Sequence, residues 1–181
     1  GQRYADIRAV LEAGALPELA KAASAATATL ALADVKLLPV ITNPQKIFCV
    51  GLNYKTHVAE TKRTDSDYPA IFTRFADTLG VHDAPLVKPT ITKRFDFEGE
   101  LAVVIGKGGR NITQANALNH IAGYACFNDG SVRDWQRHTH QWTPGKTFPG
   151  TGAFGPCPTT PDEVGDLGAQ TITTRLNGQV V

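Results

Sequence analysis

The segment Phe95–Ile105 (FDFEGELAVVI) sets three acidic side chains, Asp96, Glu98 and Glu100, inside a run otherwise apolar enough to be a strand. Side chains two apart on a strand share a face, so Glu98 and Glu100 are expected side by side. Two neighbouring carboxylates repel unless a positive charge holds them, and between these apolar flanks a cation is an economical solution. Asp129 closes a second apolar run, Tyr124–Phe127, and would bring a third oxygen to the same place. An all-carboxylate set suits Mg²⁺ or Mn²⁺, with Ca²⁺ a further candidate, better than Zn²⁺. The competing reading is a solvated strand edge that happens to be acidic.

The rest of the composition narrows the setting. The chain has 181 residues, 42 % of them hydrophobic and 19 % charged, which fits one globular domain, or one domain with a fragment of another. A net charge of +1 offers no footprint for nucleic acid or an anionic membrane. No apolar run approaches the roughly 20 residues that span a bilayer. The start, GQRYADIRAV, lacks the basic and apolar regions of a signal peptide, so a cytoplasmic protein is expected. Cys49, Cys126 and Cys157 show no finger spacing and read as free thiols, with Cys49 and Cys126 buried in apolar runs.

Along the chain, residues 5–33 are rich in helix formers, and Pro17 is placed to open a second helix. Thr42-Asn43-Pro44 breaks the pattern and sets a boundary between residues 1–43 and 44–181. Lys46–Val50 reads as a short buried strand and Asn53–Thr61 as a helix. Thr113–His120 reads as a helix capped by Thr113 and closed by Gly123. Thr171–Leu176 alternates like a strand and meets Asn177-Gly178, the favoured pair for a two-residue hairpin turn. The return strand stops at Val181, and there is no methionine, so the chain is expected to be truncated at both ends.

Further residues carry candidate chemistry. His57 and Glu60 lie three apart, neighbours on a helix, and a glutamate there would orient the imidazole as a general base. A surface His–Glu contact is the alternative. Gln136 follows Asp129 by seven residues, two helical turns on, and would face the same cavity. Arg133 and Asp134 are adjacent, so they diverge and are assigned to structure. Lys146 sits in a Gly/Pro-framed loop, where it would stabilise an oxyanion or serve as a solvated surface charge. Gly106-Lys107-Gly108-Gly109 lacks full phosphate-loop spacing and reads as an ordinary turn.

Four blocks in order, GLNYKTHVAE (51–60), FDFEGELAVVIGK (95–107), GYACFNDGSVRDWQ (123–136) and GKTF (145–148), together resemble the fumarylacetoacetate hydrolase family. The resemblance runs from about Lys46 to Val181, and the Ala-rich start is similar to the tail of the small N-terminal domain of bacterial members. It implies an α+β fold, a mixed β-sandwich roll incomplete at the C-terminus and preceded by a small helical remnant. It also implies Glu98, Glu100 and Asp129 as metal ligands, His57 and Glu60 as a water-activating dyad, and Lys146 and Gln136 as contacts to substrate oxygens. Homodimers are implied as well. The loop TFPGTGAFGP after Lys146 departs from the serine and aspartate of many members, and the glycine-rich closing loop of the family is not among the 181 residues.

The expected activity is therefore Mg²⁺- or Mn²⁺-dependent hydrolysis of a C–C bond in a small β-diketo acid, passing through an enolate. An isomerase or decarboxylase acting on a related 2-oxo or dienoic acid, as in aromatic-compound catabolism, shares that enolate and stands as the alternative. A non-catalytic metal-binding module is the third reading.

Overall fold

A computed structural model of the chain describes residues 3–54 and 67–181. The N-terminal helices form where propensity and capping predict. Helix α1 (Ile7–Glu12) is capped by Asp6, whose carboxylate accepts from Ala9 N. Helix α2 (Leu16–Ser24) has Pro17 in its first turn. Asn43 ties back to this region by donating to Asp6 and by accepting from Arg8 Nη1 at 2.8 Å.

The strands follow the apolar runs. β1 (Ile47–Gly51) pairs antiparallel with β2 (Ala70–Arg74), Cys49 facing Phe72 in register. β1 differs from its expectation as a buried strand: it alternates, with Phe48 and Val50 exposed, so one face alone is covered. β3 (Leu79–Gly80), β5 (Gly99–Ile105), β6 (Ile121–Asp129) and β8 (Gly152–Phe154) make a mixed sheet in the order β3-β8-β6-β5. β3 runs parallel to β8, and the other pairs are antiparallel. β4 (Phe95–Asp96) pairs with β7 (Ser131–Val132) in a separate two-stranded ribbon. Short helices α3 (Arg133–Gln136) and α4 (Thr143–Lys146) follow β7, and α5 (Pro161–Val164) packs against β6. Val40, Ile41, Val104, Ala125 and Phe154 form the core cluster, with Leu11 of α1 packed on it.

Three sequence expectations shift. The FDFEGELAVVI run is broken, because Phe97 and Glu98 lie between β4 and β5. Gly123 sits inside β6 and closes no helix; Gln114–His120 is a 3₁₀ helix that ends where β6 begins, and Thr113 makes no side-chain cap. Cys126 is exposed rather than buried, although Tyr124 and Ala125 beside it are buried. The hairpin at Asn177-Gly178 is present but short: β9 (Arg175–Leu176) pairs with β10 (Gln179–Val180), and both turn residues have positive φ, as a two-residue turn matched to strand twist requires. Among the described residues no helix is long and apolar enough to cross a membrane. His57, Glu60 and most of the expected Asn53–Thr61 helix lie outside the described residues.

Candidate active site

The break between β4 and β5 is what aims Glu98. Asp129 N donates to Glu98 O at 2.9 Å, and Glu98 N donates to Asn128 Oδ1 at 3.2 Å, so the break is stitched to the end of β6. Those two bonds hold two acidic residues, 31 positions apart in sequence, at one place. Asp129 is held from the other side by the pairing of β6 with β8, where it faces Gly152.

Between these carboxylates lies Lys146. Its Nζ donates to Glu98 Oε2 at 2.7 Å and to Asp129 Oδ2 at 2.6 Å. The Lys146 side chain is 1 % exposed, and its Nζ stands 5.1 Å from the centre of the Phe72 ring. Such a charge is tolerated out of water only because it is paired and hydrogen-bonded. The sequence reading of Lys146 as a solvated surface residue is excluded by this burial. Gly145 sets the approach of α4 to α3: a Cβ there would lie 2.4 Å from Gln136 N. Phe72 against Trp142 and Trp135 against Phe148 pack edge to face around the same helices.

Each carboxylate gives its second oxygen to an arginine. Arg133 Nη1 donates to Glu98 Oε1, and Arg74 Nη1 donates to Asp129 Oδ1. Arg133, assigned to structure from sequence, reaches Asp96, Glu98 and Gln136 Oε1 (3.0 Å), and so joins the acidic cluster to α3. Gln136 does lie at the cluster, through that bond. Arg74, Tyr54 and Thr151 were not singled out from sequence. For Arg74 a signal existed, an arginine inside the apolar run AIFTRF, where an unpaired charge has no place.

The electrostatics follow the partners. Burial pushes the Glu98 carboxyl up, but Lys146 and Arg133 outweigh it and hold the group below the usual carboxylate range. Glu100 goes the other way. Burial raises it, a hydrogen bond from Tyr54 opposes the rise, and the charges of Glu98 and Asp129 raise it further. Three carboxylates therefore feel one another here, and the cations serve only two of them directly. The Cys49 thiol, half-buried on the inner side of β1 and near Asp129, is pushed up to about 12 by desolvation and then by the Asp129 charge.

Among the described residues no three His, Cys, Asp or Glu side chains are gathered closely enough to hold a metal ion. The donor set nevertheless fits a hard divalent cation in kind. Glu98 Oε2 and Asp129 Oδ2 turn toward one point, now shared by an ammonium, and Glu100 adds a carboxylate whose raised proton affinity a nearby cation would relieve.

Residues 46–181 match the family model described as fumarylacetoacetate (FAA) hydrolase C-terminal. The chain belongs to the fumarylacetoacetate hydrolase family. It is similar to a mitochondrial oxaloacetate tautomerase of Xenopus laevis, 39 % identical over 154 residues, covering 84 % of this chain and 48 % of the relative. It is also similar to the human mitochondrial oxaloacetate tautomerase FAHD2A, 40 % identical over 164 residues, covering 89 % of this chain and 52 % of that protein. The chain thus spans about half the length of the curated relatives it matches. Among solved structures, 5-carboxymethyl-2-hydroxymuconate delta-isomerase from Mycobacterium smegmatis superposes with a TM-score of 0.69 at 32 % identity, covering 83 % of this chain and 56 % of that one. The α+β fold expected from sequence is that of this family, here with several small sheets that are not closed on one another.

Proposed function

We propose that this family member moves a proton next to the carbonyl of a small 2-oxo acid, as a tautomerase or isomerase. The observation that carries the reading is the Lys146 ammonium, buried and fixed between Glu98 and Asp129. A preorganised cation in a water-poor site stabilises negative charge that grows on an oxygen as a C–H proton leaves. The activities for which the similar proteins are named, a tautomerase and an isomerase, support the same class of proton movement.

Glu98, Glu100 and Asp129 would hold a divalent cation, which supplies Lewis-acid polarisation of the substrate carbonyl when bound. Lys146 remains beside Glu98 and Asp129 as the fixed positive charge for a substrate oxygen. Arg133 holds the Gln136 side-chain oxygen, which leaves the Gln136 Nε2 hydrogens free to donate to a second substrate oxygen. The proton is assigned to His57, oriented by Glu60, on the sequence spacing. His57 takes a hydrogen from the carbon beside the carbonyl, the C–H pair becomes the C=C bond of the enol form, and the proton returns to oxygen or to another carbon. Net composition is unchanged.

Hydrolytic C–C cleavage of a β-diketo acid is the second reading, favoured by the family description and by the same His57–Glu60 spacing. The base would then deprotonate water instead of carbon. The two separate on product. Full-length protein is given the enol form of oxaloacetate and, separately, an acylpyruvate, each with and without Mg²⁺. Metal-dependent loss of enol absorbance with an intact acylpyruvate and no pyruvate released is the expected result. Cleavage of the acylpyruvate without acceleration of the enol–keto change would overturn the tautomerase reading.

A further inference from the structure

Strand β2 alternates so that Phe72 and Arg74 both point inward, 5 % and 1 % exposed, while Ile71 is 46 % exposed. Arg74 serves Asp129. Phe72 serves Lys146: the ammonium stands over the ring, 5.1 Å from its centre. A cation within about 6 Å of an aromatic face is drawn to the negative side of the ring's quadrupole, most strongly where water is excluded. The Lys146 side chain, 1 % exposed, meets that condition. Phe72 is fixed in turn. Trp142 packs against it at 5.6 Å with an interplanar angle of 60°. Trp142 is also the N-cap of α4, the helix whose last residue is Lys146. Space for the Trp142 ring comes from Gly51 at the end of β1, where a Cβ would lie 2.0 Å from Trp142 Cζ3. Lys146, Phe72 and Trp142 therefore form a closed circuit, in which the helix that carries the cation also braces the ring it stands over.

The ring differs from the other partners in what it asks of the ammonium. Glu98 Oε2 and Asp129 Oδ2 each accept one ammonium hydrogen, and an ammonium has three. A third carboxylate would claim the last hydrogen. An aliphatic side chain would leave that face of a buried charge unsupported. An aromatic face stabilises the charge and has no lone pair to bind the hydrogen. The third hydrogen thus stays available to an oxygen of the substrate.

We infer that Phe72 is a positioning residue for Lys146, whose ammonium it holds by its ring face so that one hydrogen remains for a substrate oxygen. The inference rests on the reading of Lys146 given above and deepens it. Phe72 touches no reacting atom; it acts through the ammonium. A leucine in its place would keep an apolar side chain but not the electron-rich face.

The test replaces Phe72 in the full-length protein by mono-, di- and trifluorinated phenylalanine and follows the enol–keto change of oxaloacetate. Fluorine drains the negative face and nearly keeps the shape of the ring, so the series folds even where Phe72→Leu does not. The expected result is a kcat that falls step by step with fluorine count, by roughly 10-fold across the series. KM should change much less, since the charge that Lys146 meets is largest in the transition state. In Lys146→Met the same series should be flat. A flat series in the otherwise wild-type protein, with Lys146→Met still slow, overturns the inference alone. An equal fall in both backgrounds overturns it too, because the ring then acts through packing and not through the ammonium. Lys146→Met as fast as the wild type overturns this inference together with the reading of Lys146.

Discussion

Lys146 Nζ stands 2.6 Å from Asp129 Oδ2, with both side chains almost wholly removed from solvent. Seventeen residues separate them in sequence, and the loop between carries α3 and α4, so the pairing is made by the fold and not by local spacing. Removing the cation leaves the buried Asp129 carboxylate and the half-buried Glu98 carboxylate facing each other. Lys146→Met is expected to lower stability by about 3–5 kcal/mol and turnover by about 10²–10³-fold. Chemical denaturation and steady-state rates check both numbers. Added Mg²⁺ should return part of the stability, since it would replace the missing positive charge.

Gly145 tests how finely that lysine is placed. A Cβ at this position would lie 2.4 Å from Gln136 N and 2.5 Å from Gln136 Cα, both backbone atoms that cannot swing aside. Gly145→Ala must therefore separate α3 from α4, at a cost of about 1–3 kcal/mol. Activity should fall further than stability alone explains, because Gln136 and Lys146 move apart together. A variant with wild-type melting temperature and rate would show that the approach of the two helices is not required.

The pH dependence of a neighbouring contact has a defined sign. Thr92 Oγ1 donates to Asp134 Oδ1 at 2.7 Å, and that bond, first among the causes, holds the Asp134 carboxyl below its usual range. A depressed carboxylate stabilises the folded state above the ordinary value of about 3.9, and that contribution is lost as pH falls through the depressed value. Thr92→Val should return the Asp134 titration, followed by NMR, toward the ordinary range. The stability difference between the two proteins should be full at neutral pH and shrink in acid. An Asp134 titration that does not move would contradict the assignment.

The cysteines differ enough to be told apart by alkylation. Burial and the nearby Asp129 charge push the Cys49 thiol up to about 12, whereas Cys157 is exposed. Since the thiolate is the reactive form, iodoacetamide at pH 8 should label Cys157 well before Cys49, as peptide mass mapping would record. Equal labelling in the folded protein would place Cys49 in a different environment.

Much of this was legible in the residues. The run AVVI with its acidic partners, the Asn128-Asp129-Gly130 strand end and the Asn177-Gly178 turn each announce an element, because periodicity and turn chemistry are local. The meeting of Asp129 with Glu98 is expected from two apolar runs that carry acids, whereas that Lys146 joins them is suggested only by four ordered blocks, since no spacing rule joins residues 48 positions apart. Arg133 and Asp134 do diverge, Asp134 to Thr92 and Arg133 to Asp96 and Glu98, but adjacency does not say which partners they reach. The Arg133 backbone N donates to Arg94 O, at the β4–β7 ribbon, and its side chain reaches back to Glu98. Cys126 is exposed because an apolar sequence neighbourhood does not set the exposure of any one side chain within it.

The central claim is that a carboxylate-held cation and Lys146 together ease removal of a proton beside a carbonyl. Its most direct measurement is deuterium uptake at the carbon between the two carbonyl carbons of oxaloacetate. The uptake is followed by NMR in D₂O with the full-length protein, above the rate in protein-free buffer of the same metal content. Exchange should depend on Mg²⁺ or Mn²⁺, stop on chelation, and drop about 10²-fold or more in Lys146→Met. Exchange that persists undiminished after chelation and in Lys146→Met would contradict the account.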